Sequence, residues 1–133
     1  ILTVVLLVAP AIGLLHAAAQ PRAREAPGTP AFQRTWERTD QPVISGATAR
    51  TWMWGPDAFT SVKEEEYAES PGGRRQVQYF DKSRMEITFP DAVDDGLWYV
   101  TNGLLVVELA TGRLQLGDNV FAQRAPAEIP YRA

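Results

Sequence analysis

The chain has 133 residues, a formal net charge of -3, no cysteine and one histidine, His16. That composition excludes disulfides, thiolate zinc sites and cysteine nucleophiles, and beyond residue 16 it leaves no imidazole for a Ser-His-Asp triad or a histidine metal site. Apolar residues at 45% and aromatic residues at 10% argue for a packed domain, and no basic excess marks a nucleic-acid surface.

Residues 1–19, ILTVVLLVAPAIGLLHAAA, are almost wholly apolar and end in three alanines before Gln20. The small-residue ending and the breakers Pro10 and Gly13 read as a signal peptide cleaved near Ala19. The other reading is an uncleaved membrane anchor, since the run is just long enough to span a bilayer. Both place the remainder outside the cytoplasm, secreted or held at the membrane through residues 1–19 alone. Residues 20–31, QPRAREAPGTPA, have no periodicity and three prolines, which predicts a mobile or extended linker.

A single domain is expected over 32–121. Phe32 and Trp36 stand one helical turn apart and predict a short amphipathic helix ending before Pro42. Residues 49–56, ARTWMWGP, read as an aromatic strand with Trp52 and Trp54 on one face and Met53 opposite. Such a pair stacks on carbohydrate or fills a core, and in a small domain core filling is the commoner use. Glu64, Glu65 and Glu66 follow on a strand whose alternation keeps them from converging, so a solvated acidic edge is expected there and no metal site.

Ser70-Pro71-Gly72-Gly73 supplies a turn, which lets 62–69 pair with 74–80. The stretch 74–89, RRQVQYFDKSRMEITF, alternates apolar and polar residues on either side of Asp81-Lys82-Ser83 and predicts the central hairpin. Asp81 is expected to cap the turn. Parity sets Met85, Ile87 and Phe89 on the core face, and Arg84 and Glu86 on the opposite, exposed face. Leu97–Val100 reads as a short apolar strand. Residues 103–110, GLLVVELA, preceded by Thr101-Asn102 and followed by Gly112, predict a buried helix capped at both ends; a strand is the alternative. Residues 113–117 alternate as a last strand, Val120 and Phe121 add a final apolar contact, and 122–133 read as a tail or a linker to a further domain.

The stretch Val77-Gln78-Tyr79-Phe80-Asp81-Lys82-Ser83-Arg84-Met85-Glu86 resembles a module that recurs in secreted bacterial proteins. Phe32 and Trp36, Trp54-Gly55-Pro56 and Gly103-Leu104-Leu105 extend the likeness over most of 32–121. The resemblance implies an extracellular accessory domain, sometimes beside cell-wall or peptidase domains, and carries no catalytic residue with it.

Together these features predict a small α+β fold, an antiparallel sheet around a central hairpin with one or two short helices. The function expected is a non-catalytic interaction domain that meets cell-wall glycan, an envelope protein or another domain of its own chain. Trp52, Trp54, Tyr79, Asp81, Arg84 and Glu86 are the candidate ligand-binding residues. No catalytic residue, metal or cofactor is assigned. The rival, a glycan hydrolase, would draw its carboxylates from Asp81, Glu86 and Glu108; a membrane-anchored spacer is the third reading.

Overall fold

The computed structural model describes residues 24–93 and 96–128. The leader, the first residues of the linker, Asp94 and Asp95 of the 90–96 loop and the last five residues lie outside that range. The protein is a small α+β domain: a four-stranded antiparallel sheet, a two-stranded sheet and three short helices among the described residues.

The large sheet runs in the order β1 (Lys63–Glu66), β2 (Arg74–Tyr79), β3 (Arg84–Ile87), β4 (Thr101–Asn102). The register pairs Gln78 with Met85 and Tyr79 with Arg84. Cross-strand partners share a face. One face therefore carries Gln78, Met85 and Ile87; the other carries Arg75, Val77, Tyr79, Arg84 and Glu86. Both faces are covered, and all four residues of β3 are buried.

On the first face lies the apolar core. Helix α1 (Pro30–Thr39) starts at Thr29, whose hydroxyl accepts from the Phe32 N–H at 3.0 Å, with Pro30 in the first turn where a missing N–H costs nothing. It lays Phe32 and Trp36 against Met85, Ile87, Phe80, Trp54 and Val100. Trp36 also donates its indole N–H to the Gly55 carbonyl at 2.8 Å. A one-turn helix, α2 (Gln41–Ile44), follows at once.

Four expectations need correction on this side. Residues 49–56 form a loop, not a strand, because the Asp40 carboxylate takes their backbone donors: the N–H groups of Met53, Trp54 and Gly55 reach it at 2.9, 2.7 and 3.0 Å. The supposed linker is part of the fold from residue 24 onward. Glu25 and Ala58 exchange backbone hydrogen bonds, and the buried Gln78 side chain accepts from Gly28 N–H and donates to the carbonyls of Ala26 and Thr60. Phe89 leaves the core face and is half exposed, since β3 ends at Ile87 and Pro90 has no N–H to continue a ladder. Leu97 and Trp98 are exposed in a turn; Val100 is buried in the core and Tyr99 packs half-buried against it.

On the second face sit α3 (Leu105–Thr111) and the small sheet of β5 (Arg113–Gln115) and β6 (Phe121–Gln123). Gly112, at φ 70°, ends α3 in the left-handed conformation the sequence anticipates. The other end differs. Thr101 and Asn102 form β4, with Asn102 Oδ1 accepting from the Ser83 hydroxyl, and they do not cap the helix. Nor is α3 buried as expected: Leu104, Val106, Val107 and Leu109 are exposed and Glu108 faces inward. The expected tail continues the domain to residue 128, through β6 and through hydrogen bonds from Arg124 N to Gly112 O and from Ala127 N to Leu109 O.

Candidate functional site

The second face of the sheet concentrates charge. Arg84 points from β3 into a space closed by α3, with only 1% of its surface exposed. Its Nε donates to Glu86 Oε1 at 2.7 Å, and its Nη1 and Nη2 donate to the two oxygens of Glu108 at 2.8 and 3.1 Å. Glu65 lies 3.8 Å away, and the Tyr79 hydroxyl accepts from Nη1 at 3.3 Å while donating to Glu65 at 2.6 Å. Arg75 on β2 donates to the other Glu86 oxygen at 2.9 Å, and its guanidinium lies 4.2 Å from the centre of the Tyr67 ring. Glu86 thus bridges two buried arginines, and Arg84 bridges two buried glutamates.

The alternation of β2 and β3 explains the assembly. Arg75 and Tyr79 flank Val77, the one apolar residue of β2 on this face, and Arg84 and Glu86 stand two apart beside them. Charges removed from water are tolerated only when paired and hydrogen-bonded, and here nearly every polar atom is. The Arg75 Nε is the exception in the network, a buried donor without a partner among the described residues.

Burial pushes the Glu86 carboxyl above its ordinary range, against the pull of the two arginine charges. Burial would lower Arg84, but the Glu108 hydrogen bond and the Glu86 charge outweigh it and hold the guanidinium above its ordinary value. Tyr67, which donates to Asp118 at 2.6 Å, is pushed up to about 12 by burial and by that hydrogen bond. Tyr79 is raised by burial and by its bond to Glu65.

The six candidate residues do not form one site. Tyr79, Arg84 and Glu86 come together in the buried network, so the expectation that Arg84 and Glu86 are exposed is corrected: α3 and β5 cover that face. Trp54 is buried, its ring tilted 58° against Phe80 at 6.1 Å. Trp52 packs half-buried on the same core. The two tryptophans therefore offer no shared exposed platform. Asp81 remains at the hairpin turn, exposed and paired with Lys82 at 2.6 Å. The turn is closed by Phe80 N–H donating to Ser83 O and Lys82 N–H to Trp54 O rather than by an Asp81 cap. Among the described residues no three His, Cys, Asp or Glu side chains are placed to hold a metal ion, and no helix is long and apolar enough to cross a membrane.

A second feature escaped the sequence reading. Beside the far end of the network opens a cleft of about 360 Å³ lined by Tyr67, Phe89, Val93, Trp98, Tyr99 and Asp118, among others. Trp98 is 86% exposed and Val93 81%. The Tyr99 hydroxyl holds the loop in place by donating to the Pro90 carbonyl at 2.9 Å. The signal available was Trp98 in an acidic, turn-forming neighbourhood, but an apolar four-residue run conceals it.

No family model matches the chain, and neither the curated proteins nor the solved structures contain a match to it.

Proposed function

We propose that this domain is a non-catalytic interaction module acting outside the cytoplasm, in contact with the cell envelope. The observation that carries the reading is the division of labour between the two faces of charge and aromaticity. Glu86 and Glu108, the buried carboxylates best placed for acid–base work, are each held by guanidinium groups. A general acid or base must exchange its proton with a substrate within hydrogen-bond reach, which these pairings oppose. Among the groups left to meet another molecule, the exposed aromatic side chains of Phe89 and Trp98 stand on loops, where binding residues concentrate. The apolar residues 1–19 and the resemblance to secreted bacterial modules support the extracytoplasmic placement.

Purified protein incubated with bacterial cell-wall sacculi, and separately with envelope membranes, should sediment with one of them and release no soluble fragments. Release of fragments by the native protein that stops in a Glu86→Gln variant shown by circular dichroism to be folded would replace this reading with the hydrolase. Retention on neither material would remove the envelope from it.

A further inference from the structure

The Trp98 cleft carries more information than exposure alone. Among the described residues its lining includes the aromatic side chains of Phe89, Trp98 and Tyr99, the buried Tyr67 behind them, and the carboxylate of Asp118. A second carboxylate is fixed beside the first, because Glu69 Oε2 accepts from the Asp118 backbone N–H at 2.9 Å. Neither Asp118 nor Glu69 is ion-paired among the described residues. Arg75 approaches the Tyr67 ring but is neutralised by Glu86. One end of an aromatic cleft is thus left with uncompensated negative charge.

From this geometry we infer that the cleft binds an organic quaternary ammonium group. The inference rests on reading the domain as a binding module. Aromatic faces attract cations through their quadrupole. The carboxylates add long-range attraction for the same charge. A neutral sugar could stack on Trp98 but would leave the charge unused. A primary ammonium would bring three N–H donors to walls that are mainly ring and methyl surface, and it is strongly hydrated. A quaternary ammonium has no such donors to satisfy and presents methyl groups to the rings.

The test is a titration of the full chain with choline chloride, followed through the Trp98 indole signal by nuclear magnetic resonance. In parallel runs the neutral carbon isostere of choline, in which a quaternary carbon replaces the nitrogen, and a primary alkylammonium are added. Choline should give a saturable shift, and the neutral isostere should bind at least about threefold more weakly, the scale of one exposed cation–π contact. Trp98→Ala, followed instead through the backbone amide signals of Val93 and Tyr99, should abolish the response without altering the fold, because that side chain is almost fully exposed. Asp118→Asn, which keeps an acceptor for Tyr67, should weaken binding several-fold. Phosphatidylcholine vesicles then separate a membrane headgroup from a free solute as the source. Equal binding of the neutral isostere, binding that survives Trp98→Ala, or no saturable shift would each overturn the inference. So would a neutral oligosaccharide that shifts Trp98 where choline does not. Turnover of envelope material would instead sink the binding-module reading, so the two failures are told apart.

Discussion

Glu108 is the only buried residue of α3, and both its oxygens are held by the guanidinium of Arg84, 24 positions earlier in the chain. An apolar helix is thereby fastened to the sheet through its one charged side chain, while its valines face outward.

That fastening makes Glu86 and Glu108 structural. Glu86→Gln removes the charge shared by Arg75 and Arg84, leaving Arg75 buried beside no carboxylate. Breaking one partner out of a buried pair costs about 3–5 kcal/mol. Ile87→Ala, on the opposite face, should cost about 2–5 kcal/mol. Denaturant melts of the two variants should give losses of similar size. A loss under about 0.5 kcal/mol for Glu86→Gln, the level of a free surface position, would contradict the burial described.

Gly103 lies over the same network. A methyl group there would sit 2.8 Å from Arg84 Nε and in hard contact with Glu86 Oε1. Gly103→Ala should therefore destabilise by about 1–3 kcal/mol, as overpacking does. Adding Glu86→Ala should recover part of that loss, since the Glu86 carboxylate is gone and only the Arg84 contact remains. A thermal-melt double-mutant cycle with no coupling between the two positions would refute the contact.

The alkaline limit of stability should be set by the tyrosines. An unfolded tyrosine ionises near 10, whereas Tyr67 is held neutral up to about 12, and Tyr79 is raised as well. A raised folded value means that the contribution is complete below the unfolded value and is lost as pH climbs through the folded one. Stability should thus decline between about pH 10 and pH 12. Ultraviolet titration of tyrosinate should show two slow-titrating groups, and Tyr67→Phe should remove one.

Asp40 is fully buried, and its two oxygens serve three backbone donors, with Arg50 3.7 Å away. Asp40→Asn replaces one acceptor oxygen with an N–H2 group that would meet N–H donors. Hydrogen bonds to a charged group contribute about 1.5–3 kcal/mol, and a loss of that size or more is expected in a denaturant melt. The fluorescence of the core tryptophan Trp54 should change with it; an unchanged melt and spectrum would show that the loop stands without the anchor.

The parts of this fold legible in the sequence were those with local signals. The alternation of Val77 and Tyr79, and of Met85 and Ile87, marks the hairpin, and Gly112 marks the end of α3. What stayed hidden depends on distant partners. Arg84 and Glu86 look like a surface pair because alternation reports which face a residue takes and not what covers that face. Glu108 looks like the exposed member of an apolar helix until Arg84 is placed beneath it. Asp40 gives no sign that residues 53–55 will spend their donors on it. The site was legible only in part: Tyr79, Arg84 and Glu86 do converge, but Trp98, in the cleft, was hidden inside an apolar run.

The tie between Gln78 and the segment at 26–28 has a mechanical consequence. Gln78 lies on β2, an interior strand of the sheet, and holds Gly28 and Ala26 by its side chain, while Glu25 is bonded to Ala58. Tension on the chain upstream of residue 24 is therefore not absorbed by a slack tether at the edge of the domain. It passes through these bonds into the middle of the sheet, in parallel with the start of α1. A domain held from that end would carry load through its most buried strand pair, and Gln78 is where the load would enter.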